Sequence, residues 1–598
     1  MDYNSQLLKA INESNIDIYE QEIQEQYKIE CGESNVNKMI INIWNDMLSN
    51  KRIAIATAGV STTEILDIVK ENKDKIVCII DKYNYGYKLS GYNVIGYNDV
   101  NEYDFDIVLI PSLGYSKEIK TELKKIKPYC EYIMLYDELS KRGMALKNAF
   151  YEVNYNDKYY KLNYIYIKYK KTNQERYLLS LIYNYLDIRD FVNSIKFMEI
   201  YISKYNKGNI IVLKEKIESI LNEIKFEFIR KNTNTNSVFM LICDALRYKD
   251  VFDGNKMKYV KKRASNGVII KNAFTHVPYT TGSLLTLFTG KKYLDDDVYD
   301  KNLIDEDEDL FKEIKKLNYE FKYAGCRTRL FKEENIINKS NSNISEIIWR
   351  GLCNALNSDT NTLYCLHFLE SHQPFFSGVN KKRLKKIPAF WLDTIEDVDL
   401  EEFQHNEALK YIDSQIEFFM NIVGDETRVI LFSDHGAIIQ NDKNIKDNNY
   451  YCEDYIHIPY IVLNINKKYE YTPLFSHLDT KDLIINLINN RDVFEGINQR
   501  DYVEVDRDFT YAEYNLNVAK KRNDYDSGRA FKCFRTEKYK AVLFYDYTKK
   551  YYCIYDNNED EINELDDKEI LNNLKNSTFP SWKSEKYKNT RKFYNIKL

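Results

Sequence analysis

The sequence predicts an α/β protein in which two strand–helix alternations flank a helical connector, and three observations predict it. Between residues 51 and 140, the apolar runs RIAIATAG, KIVCIID and FDIVLIPS alternate with the amphipathic stretches STTEILDIVKENK and SKEIKTELKKI. From 155 to 232 apolar residues recur every three or four positions, as in RYLLSLIYNYLDIRDFVNSIKFMEIYISKYNKGN. After the polar stretch RKNTNTNS (230–237), strand-like runs return: SVFMLICD, FKYAG, TLYCLHF, RVILFSD and IPYIVLN.

Each element follows from its pattern. Apolar runs of strand length that alternate with helical periodicity build a parallel, doubly wound sheet. The first domain, with a helical lead-in, is therefore placed at 1–150, and the connector at 151–235. Within the connector, Gly208-Asn209 is the expected helix stop. One helical hairpin of tetratricopeptide type is visible there, short of the roughly three units that an array needs. The turn formers of 230–237 read as a linker, and a second α/β domain is expected over 236–598.

Composition excludes several classes. At 598 residues the chain is too long for one core and should divide into about two to four domains. A net charge of −5 gives no basic footprint, so nucleic acid is not an expected partner. The ten cysteines are scattered without a C-x-x-C pair, which argues against zinc ribbons and disulfide frameworks. The polar opening residues contain no apolar signal region, and no run approaches the ~20 residues of a membrane span. A cytoplasmic location is expected.

The second domain carries the chemistry. SVFMLICD ends on Asp244, RVILFSDHG reaches Asp434 and His435, TLYCLHFLESHQPFF carries His367 and His372, and His457 precedes IPYIV. Ligands gather at the carboxyl ends of strands in open α/β sheets. Asp and His together suit a divalent ion such as zinc or manganese. His367, inside its strand, is read as structural, and His276 and His405 as surface or packing residues. Arg247 and Lys291 are open to two readings, contact with an anionic substrate or ordinary surface charge.

The order of these segments resembles the alkaline phosphatase/sulfatase superfamily over about residues 236–570. LICDALR resembles its opening strand, and FTHVPYTTGSLLTLFTG its nucleophile segment, with Gly282 where Pro is common. LHFLESHQPF resembles the substrate-side histidine segment in the form seen in phosphoethanolamine transferases. FSDHG resembles the Asp-His metal pair, HIP the segment that follows it, and FRTEKYKAVLFYDYTKKYYCIYDNNEDEINEL the sulfatase tail.

The resemblance implies a C-terminal alkaline phosphatase-like α/β/α sandwich holding one or two divalent ions, zinc or manganese. It places Thr280 as nucleophile and metal ligand, with Thr281 as the alternative one register away. Asp244, Asp434 and His435 would complete the shell. His372 and His457 would bind a second metal or the substrate, with His372 catalytic and His457 a metal ligand. A Thr, with no Cys in the segment and Leu284 where sulfatases carry Arg, is similar to phosphoglycerol and phosphoethanolamine transferases and phosphodiesterases. The expected substrate is a small-molecule or glycan phosphodiester, glycan- or nucleotide-linked. The alternatives are a sulfatase-like or phosphomonoester hydrolase, and a non-catalytic scaffold; the oligomeric state is left open.

In the first domain, Asp81 follows Gly59 by 22 residues, the place of a ribose-binding acid in a dinucleotide fold. Gly59 is the one fingerprint glycine present. The run IIDKYNYGYKLSGYNVIG with DFDIVLIPS resembles Rossmann-like modules appended to surface-polysaccharide biosynthesis enzymes. Gly59 and Asp81 are accordingly candidate nucleotide contacts, and a structural or substrate-presenting module is the other reading.

Overall fold

The computed structural model describes residues 2–31, 35–48, 50–69, 74–144, 157–232, 236–301, 303–304, 308–337, 342–373, 375–378, 398–439, 450–508, 529–555 and 558–580. The expected boundary at 150 lies outside the described residues, as does part of the linker before 236.

The first sheet contains β1 (Ile53–Ala56), β2 (Ile76–Ile80), β3 (Tyr87–Leu89), β4 (Tyr92–Ile95), β5 (Ile107–Ile110) and β6 (Glu131–Met134). Their order is β3-β4-β2-β1-β5-β6, parallel except at β3. Alternate side chains of a strand face opposite sides. Accordingly Ile53 and Ile55 join one core, with helices Asn35–Ile43 and Leu135–Lys141, while Ala54 and Ala56 join the other, with helix Ser116–Ile126. Strands buried on both faces explain the continuous apolar runs.

The second sheet is built from β7 (Val238–Cys243), β8 (Val268–Phe274), β9 (Tyr319–Ala324), β10 (Asn361–Phe368), β11 (Arg428–Phe432), β12 (Tyr460–Leu463) and β13 (Tyr469–Ser476). Its order is β13-β8-β12-β11-β7-β10-β9, with β12 antiparallel to both neighbours. Val238, Met240 and Ile242 of β7 pack towards helices Thr280–Thr289 and Thr480–Ile488. Phe239, Leu241 and Cys243 pack towards helices Ile344–Asn357 and Val398–Val423. The result is an α/β/α sandwich. Strands β14 (Val503–Arg507), β15 (Phe531–Arg535), β16 (Tyr539–Phe544), β17 (Lys549–Tyr555) and β18 (Asn558–Ile562) form an antiparallel meander beside it.

The connector has four described helices, Asp157–Thr172, Glu175–Asp187, Phe191–Tyr205 and Gly208–Asn232. The expected stop at Gly208-Asn209 is displaced. The third helix ends on Asn206 in a left-handed conformation (φ 46), its N–H donating to Ile202, and Gly208 opens the next helix. Nor does the connector have a core of its own. Leu178, Tyr185 and Phe197 share one apolar cluster with Phe239 and Leu241 of β7. The first lead-in helix, Tyr3–Ser14, joins the same cluster through Tyr3, Leu7 and Ile11. Burying each such side chain contributes about 1.5–3 kcal/mol. No described helix is long and apolar enough to cross a membrane.

Glu370, two residues past β10, ties connector to sandwich. Its buried carboxylate accepts from the Tyr159 hydroxyl at 2.6 Å and from the Ile344 amide at 2.8 Å. Tyr159→Phe removes a donor from a buried carboxylate and should destabilise the chain by about 1–3 kcal/mol. A thermal-unfolding comparison with the wild type checks this; an unchanged midpoint would mean that the contact adds nothing.

Candidate active site

Three adjacent parallel strands bring the site together. Ile242 of β7 is level with His367 of β10 on one side and with Phe432 of β11 on the other. Asp244, His367 and Asp434 therefore emerge at one edge of the sheet. The Asp244 amide continues the ladder to the Phe368 carbonyl at 2.9 Å, after which Ala245 turns the chain at a positive φ of 64. That turn aims the Ala245 amide at Asp434 Oδ1, 3.1 Å away, and the His435 amide donates to the same oxygen at 2.9 Å. Ser433 joins the two strand ends. Its Oγ accepts from the Leu246 amide at 2.9 Å and lies 2.6 Å from the Cys243 carbonyl and 2.5 Å from that of His435.

Thr280 begins the helix Thr280–Thr289 and is buried. Its hydroxyl lies 3.2 Å from Asp244 Oδ2, 3.4 Å from Asp244 Oδ1 and 3.2 Å from His435 Nε2. Tyr279, the N-cap, supplies no side-chain bond to the helix amides. Glycine at 282 has a local reason: a Cβ there would meet Val277 Cγ1 at 2.4 Å. No contact of Thr281 with these groups is found among the described residues.

Hydrogen bonding fixes the imidazole orientations. His435 Nδ1 is 2.7 Å from the Gly436 carbonyl, which only accepts, so Nδ1 carries the proton and Nε2 presents a lone pair. That Nε2 lies 3.5 Å from Asp244 Oδ1 and 3.6 Å from Asp434 Oδ2. His372 is arranged likewise, with Nδ1 donating to the Gln373 carbonyl at 2.9 Å. Its ring centre is 6.4 Å from that of His435. His367 places Nδ1 3.0 Å from the Tyr323 hydroxyl and Nε2 3.5 Å from Asp244 Oδ2.

Burial pushes His372 and His435 down from the usual imidazole value. Burial raises the Asp244 carboxyl, but His372, His367 and His435 outweigh it and hold the group far below its ordinary value. Asp434 is pushed up to about 7, first by burial and then by the charge of Asp244. Burial pushes the Cys326 thiol up to about 12.

These residues fit a divalent cation. Asp434 Oδ2 and His367 Nε2 are buried and have no hydrogen-bond partner among the described residues. Ligand atoms of Asp244, Asp434 and His435 lie within 4.8 Å of one another, and those of Asp244, Cys326 and His367 do likewise. Two carboxylates and two imidazoles, buried together away from solvent, make a site for a positive ion.

Other expectations need correction. His457 was expected to bind metal, but its Nε2 donates to the Lys271 carbonyl at 2.8 Å and its ring stacks on Tyr248 and Phe274, with centres 4.2 and 5.0 Å away. Arg247 is buried and bidentate to Asp250 at 2.8 Å, and Lys291 pairs with Glu308 at 2.9 Å. His276 and His405 are packing residues, both buried. His367 is no mere strand filler. In the first domain, the Asp81 carboxylate accepts from the amides of Ala58, Tyr83 and Asn84 at 2.9, 3.0 and 2.9 Å, so its oxygens organise the loop that follows β2. A Cβ on Gly59 would meet nothing nearer than 3.8 Å, so no tight backbone cradle requires glycine there.

Cys326 and His477 were missed. His477 Nδ1 lies 3.1 Å from Ser283 Oγ and its Nε2 donates to the Ser433 carbonyl at 3.1 Å. Burial pushes it down to about 3, so it braces the Thr280–Thr289 helix as a neutral ring. The signal was present, since His477 directly follows a strand.

The family model described as C2185-like, N-terminal, matches residues 49–133. No curated protein matches the chain. Among solved structures, the chain is similar to a 2-O GAG sulfatase, at 13 % identity and a TM-score of 0.40, over 60 % of this chain and 90 % of that one. It is similar to a phosphonate monoester hydrolase from Silicibacter pomeroyi, at 10 % identity and a TM-score of 0.42, over 53 % and 89 %. It is also similar to a protein in the alkaline phosphatase superfamily from Vibrio parahaemolyticus, at 10 % identity and a TM-score of 0.40, over 62 % and 96 %.

Ser433 touches no candidate ligand atom, yet it braces the loops that carry Asp244 and His435. Ser433→Ala should lower cation affinity about 10- to 100-fold, as loss of such a supporting contact does elsewhere, with the circular-dichroism spectrum retained. Equilibrium dialysis measures it, and unchanged affinity would limit Ser433 to packing.

Proposed function

We propose that this chain is a metal-dependent phosphoryl-transfer enzyme of the alkaline phosphatase/sulfatase superfamily, with Thr280 as nucleophile. It would act on a glycan- or nucleotide-linked phosphodiester, as a phosphoglycerol- or phosphoethanolamine-type transferase or a phosphodiesterase serving surface-glycan biosynthesis. One observation carries the reading: the Thr280 hydroxyl lies 3.2 Å from both Asp244 Oδ2 and His435 Nε2. A bare threonine hydroxyl is too weakly acidic to attack phosphorus at neutral pH, and the segment offers no general base of its own.

Asp244, Asp434, His435 and Thr280 would hold the ion, zinc or manganese by donor type. When bound, it lowers the pKa of the Thr280 hydroxyl and neutralises charge on the transferring group. Thr280 Oγ forms the bond to phosphorus while the bond to the leaving oxygen breaks. The Thr280 proton leaves to solvent, and the departing oxygen takes up a proton from solvent to leave as an alcohol. The leading amides of the Thr280–Thr289 helix, without a side-chain cap, face the non-bridging oxygens. In the second step, His372 Nε2 accepts the proton of the water or acceptor alcohol that attacks phosphorus and releases Thr280. Threonine at 280 and Leu284 in place of Arg favour phosphate over sulfate.

Thr280→Ala should abolish the phosphoryl-enzyme seen by intact-protein mass spectrometry and lower turnover of bis-p-nitrophenyl phosphate by about a thousandfold or more. Chelation should silence the wild type, and zinc or manganese should restore it. Undiminished adduct in Thr280→Ala would remove Thr280 from its role. Turnover of p-nitrophenyl sulfate in preference to the diester would favour the sulfatase alternative.

A further inference from the structure

We infer that Cys326 supplies a thiolate to a second cation position, formed with Asp244 and His367 and suited to zinc, beside the position at Asp244, Asp434 and His435. The inference rests on the proposed metal-dependent reading and deepens it.

Geometry divides the site into two halves. The Asp244 carboxylate directs Oδ1 to His435 Nε2 and Oδ2 to His367 Nε2, each 3.5 Å away. One carboxylate thus serves two imidazoles on different strands. On the His367 side, Cys326 Sγ completes a set whose ligand atoms all lie within 4.8 Å of one another. His367 is fully buried, and its Nε2, aimed at this group, has no hydrogen-bond partner. A buried nitrogen left in that condition destabilises the fold unless something binds it.

The chain is shaped to bring Cys326 there. β9 pairs with β10 as far as Ala324 opposite Leu366, so Gly325 falls opposite His367. A Cβ on Gly325 would lie 2.7 Å from His367 Cβ and 2.9 Å from its carbonyl oxygen. Glycine lets the backbone close on β10, and the next residue arrives beside the imidazole. Tyr323, on the same strand, sets the His367 ring through its hydroxyl at 3.0 Å from Nδ1.

Donor chemistry then selects the ion. A thiolate with imidazole and carboxylate suits zinc, whereas manganese and magnesium prefer oxygen-rich sets. On ligation the Cys326 sulfur–hydrogen bond breaks, the proton leaves to solvent, and the sulfur electron pair forms the bond to the ion. No oxidant or reductant is required.

The experiment uses full-length protein stripped by chelation and refilled with cobalt(II) as a spectroscopic stand-in for zinc. A near-ultraviolet thiolate-to-cobalt charge-transfer band is expected in the wild type. It should be retained in Thr280→Ala and lost in Cys326→Ser, whose zinc content by plasma mass spectrometry should fall by about one ion per chain. Cobalt bound by the wild type without that band overturns the thiolate ligand and leaves the Thr280 reading standing. A wild type that shows the band but forms no phosphoryl-enzyme overturns the Thr280 reading alone. Should Cys326→Ser fail to fold, the wild-type spectrum decides by itself.

Discussion

The site depends on a conflict between like charges that the fold does not relieve by itself. Asp244 and Asp434 are both fully buried, with oxygens within 4.8 Å of each other. At an effective dielectric of about 20, two such charges repel by roughly 3–4 kcal/mol. The described structure answers by holding Asp244 ionised and raising Asp434 towards neutrality. A proton is one way to balance the pocket, and a cation is the other. Imidazole nitrogens of His435 and His367 face the same carboxylate and can ligate a cation, whereas a proton on Asp434 makes no use of them. That asymmetry turns a costly cluster into a binding site.

Keeping two carboxylates together demands a rigid frame, and the connector helices help to supply it. Because their apolar faces share a core with β7 and β10, the helices back the strands from which Asp244 and His367 emerge. Glu370 extends this frame past β10 towards His372, with Tyr159 of the connector as one of its donors. The opposite face of the sheet is closed by the helix that begins at Thr280, so Thr280 and the carboxylates are set by one packed unit. Strand-end residues on such a frame hold their geometry better than loop residues could.

Much of this was legible in the sequence, because apolar strand followed by acid is a local pattern. Asp244, Asp434 and His435 stand out for that reason, and the alternation of runs conveys the α/β architecture. What stayed hidden depends on register between distant segments. His367 looks like any buried strand residue until Ile242 is set opposite it. Cys326 sits in a turn whose meaning comes from the pairing of β9 with β10. His457 shows the reverse error. It lies at the start of β12, which runs antiparallel to β11 and so begins at the right edge of the sheet. Its ring, however, is turned between Tyr248 and Phe274. Asp81 has the spacing of a ribose ligand, yet three amides occupy its oxygens.

The two halves of the site differ in a way that assigns them different work. Thr280 stands against both Asp244 and His435, where a hydroxyl can be made reactive. The other half contains a thiol and an imidazole braced by Tyr323, and Thr280 also borders it, 3.2 Å from Asp244 Oδ2. A soft, tightly held ion there would not need to exchange ligands with substrate, and its charge would steady Asp244 in the ionised form. Shared ownership of Asp244 is what couples the halves, so the acid at the end of β7 governs both Thr280 and the frame that holds it.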